Sequence, residues 1–276
     1  MFSKNSSTYP SRGRGMRSRN GDMLRNQLHV LLAIMLRNIR TRFFGTGLGY
    51  IISIGWPLAH VGIILLLNAF VDRAAPYGES LVMFYVSGLI PFMAFNYMAR
   101  FIMYAVVQSR ALLSFPAVKV TDLLFGAALL EVVASSWSAA ILALILIAFG
   151  FDVVPTDVPQ AAAALGSTFL LGFGYGILSG LIGLAFPAWI TGSVLVTIIL
   201  YLMSGIFFVF DTLPGPVRFY LGLNPLLHDV LWMRAAYYEG YGQDLNKEYA
   251  VICGVVLLFL GLGIERLVRG RFLMLK

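Results

Sequence analysis

The residues of this 276-residue chain that could do chemistry fall into two groups, and neither reads as a catalytic centre. In the first, Tyr97, Arg100, Phe101, Tyr104 and Gln108 recur at three- and four-residue steps and so share one face of a helix. Aromatic rings flanking a guanidinium can stack on sugar rings and hold anionic groups. The plainer reading is a packed aromatic face with Arg100 reaching for the membrane edge. Glu131 also stands in apolar sequence, where a charge is costly enough to mark a functional candidate; it would pair with Arg100 or a helix end, or carry a proton. The second group, Asp211, His228 and Asp229, can be drawn as an acid–base set. One His and two Asp without regular spacing fit a hydrogen-bonded structural histidine better. Nucleotide chemistry has no support: there is no G-x-x-x-x-G-K followed by Ser or Thr. Gly45-Thr-Gly-Leu-Gly49 follows no strand and precedes no phosphate-binding Lys, and Leu178-Ser-Gly180 lies inside an apolar run. The lone Cys253 excludes a disulfide framework and a cysteine-ligated metal. The sequence thus predicts no catalytic residue, no metal site and no cofactor on this chain.

What must position these residues is a membrane bundle. The chain is 59% hydrophobic and 12% charged, with a mean hydropathy of +0.83, whereas soluble domains carry about a quarter charged residues. At ~20 apolar residues per crossing, it has room for five to seven helices and none for a large extramembrane domain or a built-in ATPase. Charge-free runs, extended past Arg100 in the second, to include Glu131 in the third and to Glu265 in the last, place spans near 48–70, 81–107, 124–150, 161–186, 190–208 and 249–265, the fourth and fifth parted at Phe186-Pro187. Residues 1–21 read as a disordered basic tail rather than a secretory signal. Residues 22–47 read as an interfacial helix, with Leu24, Leu28, Leu31, Leu32, Met35, Ile39 and Phe43 as its apolar stripe and arginines between. Residues 267–276 read as a basic cytoplasmic tail. The expected fold is an all-α integral membrane protein: an N-terminal amphipathic interfacial helix, six transmembrane helices, and an outer-face helical hairpin before the last span.

Six spans put both termini on one side. The segments on that side hold fifteen Lys and Arg, and the loops on the other hold four, which makes the termini cytoplasmic. The net charge of +7 then reflects orientation and attraction to anionic lipid, not nucleic acid. Residues 211–248, broken by Pro214, Pro216 and Pro225, are too apolar for a free loop and predict short helices re-entering or resting on the outer leaflet. Gly172, Gly176 and Gly180 form a ridge for close helix approach, within the subunit or at a seam between subunits. In segment 108–122, Arg110, Leu113, Phe115 and Lys119 make a short amphipathic piece stopped by Pro116. It would plug a groove on a partner protein or lie on lipid as a connector.

Taken together, the order of these features resembles the type-2 ABC exporter permeases, specifically the inner-membrane component that exports capsular polysaccharide. The resemblance covers about residues 22–272. It rests on Arg40-Thr-Arg-Phe43 with Leu48-Gly-Tyr50, Pro57-Leu-Ala-His60, Gly88-Leu-Ile-Pro-Phe92, and Phe115-Pro-Ala-Val-Lys119 with Glu131. Farther on it rests on Ser204-Gly-Ile-Phe-Phe208 with Leu213-Pro214, and on Asn224-Pro-Leu-Leu-His228 with Arg234, Tyr237 and Tyr238. Such a permease is implied to be a homodimer in the bacterial inner membrane, bound to two copies of an ABC ATPase that carries the ATP and Mg. Periplasmic and outer-membrane export components are implied as further partners, with an anionic, lipid-linked polysaccharide as substrate. By the same resemblance Arg110, Leu113, Phe115, Pro116 and Lys119 belong to the ATPase-coupling helix. Tyr97, Arg100, Phe101, Tyr104 and Glu131 line the substrate path, and Phe207, Phe208, His228 and Arg234 form an outer gate. Trp56 and Leu231 stand where relatives often carry Glu. Three rivals stay open: export of O-antigen or a teichoic-type polymer, a membrane-embedded transferase acting on lipid-linked sugar through 211–248, and a secondary transporter with Glu131 as proton carrier.

Overall fold

The computed structural model describes residue 25 and residues 29–39, 48–69, 74–108 and 119–274. The expected basic tail 1–21 lies outside them, as do Arg110, Leu113, Phe115 and Pro116. Within them the regular structure is helical, in chain order α1 (His29–Ile39), α2 (Leu48–Ala69), α3 (Leu81–Gln108), α4 (Val120–Ala148), α5 (Val158–Ala185), α6 (Trp189–Met203), α7 (Gly215–Leu221), α8 (Pro225–Tyr237) and α9 (Lys247–Met274). Among the described residues, α3, α4, α5 and α9 up to Val268 are long and apolar enough to cross a membrane. α6 is shorter than the hydropathy reading of 190–208, because the helix stops at Met203 and Gly205 takes a φ of +73°, a left-handed turn open to glycine. Its 15 residues rise about 22 Å at 1.5 Å each, short of a ~30 Å hydrocarbon core. α9 runs on to Met274, so the segment expected as a basic tail continues the last helix.

α5 is the central helix, and its glycines explain why. Gly172, Gly176 and Gly180 face α3 so closely that a Cβ on Gly176 would sit 2.6 Å from the Ala99 carbonyl oxygen, and one on Gly180 2.6 Å from Val106 Cβ. On the opposite side a Cβ on Gly174 would meet the Leu258 backbone nitrogen at 2.5 Å. The ridge is therefore used inside the subunit, where dispersion between closely approaching backbones holds helices that lipid would otherwise solvate equally well. Asp157 caps α5 by accepting from the Gln160 N–H at 3.0 Å, with Pro159 in the first turn where no N–H is needed. α1 packs on the first turns of α4 through Ile34, which is buried because Gly126 leaves a notch for it. The expected stripe omitted Ile34 and included Leu32, which is exposed; the notch, not periodicity, selects the inward residue.

The hairpin between α6 and α9 is split in character. α7 buries none of its residues, whereas ten of the thirteen in α8 are buried among α3, α5 and α9. α8 thus fills one end of the bundle beside the short α6. The α3–α5 seam yields a direct test. Gly176→Leu is expected to destabilise by at least ~1–3 kcal/mol, since rigid backbone and not a flexible side chain stands in the way. Gly166→Ala, with open space around it, is expected to gain about 0.5–1 kcal/mol. Thermal unfolding in detergent distinguishes the two, and equal midpoints would refute the seam.

Candidate functional site

A partly open cavity of about 170 Å³ lies among α2, α3, α5 and α6. Its polar lining comes from His60 of α2, Asn96, Arg100 and Tyr104 of α3, Tyr175 of α5, and Thr197 and Tyr201 of α6. Helical spacing on α3 sets Asn96, Arg100 and Tyr104 along one edge, a turn apart. His60 Nε2 lies 3.4 Å from the Tyr201 hydroxyl, with the rings edge to face. The Tyr175 hydroxyl is buried without a protein hydrogen-bond partner. The lining thus offers one guanidinium, several hydroxyls and exposed ring faces, a combination suited to stacking on sugar rings and holding an acidic substituent. A second, apolar cavity of about 60 Å³ lies on the far side of α2, lined by Pro57, Tyr97, Ser135 and Phe169 among others. The single aromatic stripe read from sequence is therefore divided: Arg100 and Tyr104 face one cavity, and Tyr97, stacked on Phe101 at 6.4 Å, borders the other. Glu131 is buried on α4 and accepts from the Ser135 hydroxyl.

From the first cavity an aromatic chain leads toward the hairpin. Tyr201 touches Phe92 at 4.4 Å and Phe207 at 5.1 Å between ring centroids, and Phe207 meets Tyr85 at 6.0 Å. Beyond it lies Arg234, fully buried on α8. Its Nη1 donates to the carbonyls of Gly205 at 2.6 Å and Phe208 at 3.3 Å and to the Tyr241 hydroxyl at 3.1 Å. Its Nη2 donates to the carbonyls of Phe84 at 3.2 Å and Ile206 at 2.7 Å. The Phe84 ring lies 3.7 Å from the guanidinium carbon. Burial works against the charge and lowers its pKa, with Tyr241 acting the other way, but arginine stays protonated in proteins. Only a planar fork with five donors can hold this many acceptors. One side chain thus ties the non-helical turn after α6 to α3 and α8. Gly88 leaves the room it needs: a Cβ there would lie 2.9 Å from Nη2.

Comparison with characterised proteins bears on this arrangement. The chain is 30% identical to the polysialic acid transport protein KpsM of Escherichia coli, across 85% of its own length and 91% of that protein. It is 28% identical to the capsule polysaccharide export inner-membrane protein CtrC of Neisseria meningitidis serogroup B, across 86% and 89%. No family model matches the chain. It belongs to the capsule polysaccharide export permeases of the type-2 ABC exporters.

Within this permease the other singled-out residues take structural places. His228 is a pin: Nε2 lies 2.9 Å from the Gly222 carbonyl, Nδ1 accepts from the Asn246 N–H at 3.2 Å, and Tyr249 meets the ring edge to face. Burial lowers its pKa, with the Gly222 hydrogen bond opposing, so the ring is neutral and both nitrogens are engaged. Asp229 points into the α5–α8 interface, with no exposed surface. His228 and Asp229 therefore offer no open acid–base pair of the kind a transferase would need. Lys119 is exposed at the start of α4, its backbone N–H held by Asp122 at 3.4 Å. Trp56 is exposed, while Leu231 is fully buried. Sequence reasoning missed Asn96, Tyr175, Thr197 and Tyr201, which stand alone in apolar or aromatic runs, and Tyr241, which stands in a glycine-rich polar loop. Among the cavity residues it had not assigned to the path, only His60, in the Pro57-Leu-Ala-His60 motif, carried a signal. For the clamp, Arg234→Lys is expected to cost about 3–5 kcal/mol, because an ammonium leaves several buried carbonyls unpaired. Arg218→Lys, at the exposed 2.7 Å pair with Asp244, is expected to cost under ~1 kcal/mol. Thermal midpoints of the two variants check this, and similar losses would show that Arg234 is not the tie.

Proposed function

We infer that the chain is the permease subunit of an ATP-driven exporter that moves capsular polysaccharide, anionic and lipid-linked, out across the inner membrane. The observation that carries this reading is the likeness to KpsM over nearly the whole of both chains. The name of CtrC, a capsule polysaccharide export protein, favours capsule over O-antigen or teichoic polymers, and that of KpsM names an acidic polysaccharide, polysialic acid. In this reading α2, α3, α4, α5, α6 and α9 are the six spans, both termini are cytoplasmic, and two copies of the chain join two copies of an ABC ATPase that binds ATP and Mg. Periplasmic and outer-membrane components continue the route.

The cavity holding Arg100, Tyr104 and Tyr201 is the substrate-contacting part, where a carboxylate-bearing sugar would meet the guanidinium while its ring lies on an aromatic face. Phe207 and Phe208, held by Arg234, form the gate above it. Force enters through 108–119 when the ATPase pair closes, as a rigid-body displacement rather than chemistry. α3 carries Arg100 and Tyr104 at one end and Phe84 near the other, so tilting this one helix alters cavity and gate together.

Arg100→Gln and Tyr201→Leu are expected to lower surface polysaccharide about tenfold or more with membrane levels and ATPase copurification unchanged. Phe115→Ala and Lys119→Glu are expected to lower both export and ATPase copurification. The assays are immunodetection of surface polymer and pull-down in mild detergent. Normal export by the first pair would remove the cavity from the path, and normal ATPase recovery with the second would remove the coupling assignment.

A further inference from the structure

Asp229 is an acid with nothing to neutralise it. It is completely buried in the α5–α8 interface, and among the described residues neither carboxyl oxygen has a hydrogen bond of ordinary geometry, although the Ser167 and Thr168 hydroxyls lie beside it. The facing groups are two buried hydroxyls of α5. Ser167 Oγ is likewise without a partner, and Thr168 Oγ1 is turned back to donate to the Ala164 carbonyl at 2.7 Å. Among the described residues no cation reaches it. On α8 itself His228 is tied to Gly222 and Asn246, and Arg234 is surrounded by carbonyls. On α9 Lys247 donates to Gln160 at 2.8 Å and lies over the Trp232 ring, and Tyr249 donates to the Leu223 carbonyl. None of these groups acts on the carboxyl as a charge; besides burial, only the Ser167 and Thr168 hydroxyls bear on it. An ionised carboxylate in such a place is far costlier than a neutral acid.

We propose that Asp229, with Ser167 and Thr168, is a proton-binding site, and that the bound proton latches α8 against α5. Neutralised, the acid can sit in an apolar interface and donate its O–H to the unpartnered Ser167 oxygen. Ionised, it draws α8 toward water and loosens the hairpin that carries Arg234. Burial pushes the Asp229 pKa up to about 7, with the Ser167 and Thr168 hydroxyls acting the other way. The packed state therefore keeps its proton to higher pH than an exposed carboxyl, whose ordinary value is 3.8. It follows that packing is strongest in acid, weakens as pH rises from 3.8 to about 7, and stays at its weakest above that.

The inference depends on the export reading only for which compartment's pH is sensed, and its test reads no export. Purified wild-type protein is compared with Asp229→Asn, which mimics the protonated acid, by thermal unfolding from pH 5 to pH 8. The wild-type midpoint is expected to fall by about 5 °C or more relative to the variant across that range. Infrared difference spectra of the wild type between pH 6 and pH 8 add a reading that does not depend on the variant folding. They should contain a protonated-carboxyl C=O band that disappears with rising pH. Parallel profiles for the two proteins, no titrating carboxyl band, or a wild-type midpoint that follows sodium concentration at fixed pH would each overturn the proposal.

Discussion

A guanidinium enclosed in protein, with no carboxylate beside it among the described residues, organises one end of this bundle. Arg234 cannot give up its charge, so its enclosure stands only if protein dipoles replace water. The dipoles come from the carbonyls of Gly205, Ile206 and Phe208 in the non-helical turn after α6, and from the Phe84 carbonyl in the first turn of α3, which takes the guanidinium as an additional donor. Each partner solves the other's problem. Buried non-helical backbone needs donors, and a buried cation needs acceptors. The turn can therefore leave helical geometry without stranding polar groups, and α6 can end early.

The short α6 and the inserted α8 follow from the same constraint. A helix that stops after 15 residues leaves space at one end of the bundle, and α8 occupies it with ten buried side chains. α5 makes this possible by holding α3 and α9 at backbone distance through opposed glycines. The bundle is tight along the α3–α5–α9 layer and looser around α2 and α6, where α6 buries only Ser193. The cavity with Arg100 and Tyr201 sits in that looser region. Close packing thus lies on one side of the bundle and an incompletely enclosed aromatic cavity on the other.

Much of the candidate site was legible, but not its geometry. Arg100 and Tyr104 were readable as a helical stripe with Tyr97 and Phe101, yet periodicity reports a face roughly a third of a helix wide. It cannot tell that the face borders two separate cavities, Tyr97 on one and Arg100 with Tyr104 on the other. His228 was readable as structural because no partner lay at catalytic spacing. Arg234 was readable as part of a motif, though not as the holder of four carbonyls from distant parts of the chain.

By itself the sequence determined the membrane class, the helix order and the family, because apolar run length, charge asymmetry and motif order are properties of neighbouring residues. It also located the glycine ridge. Only the tertiary structure decided which side of α5 each glycine serves, that Ile34 rather than Leu32 turns inward, and where α6 ends. It alone decided that Arg234, His228 and Asp229 lie inside the protein rather than at its surface. Those outcomes depend on free backbone carbonyls, notches and desolvation supplied by residues as many as 150 positions apart, and local pattern carries no record of them.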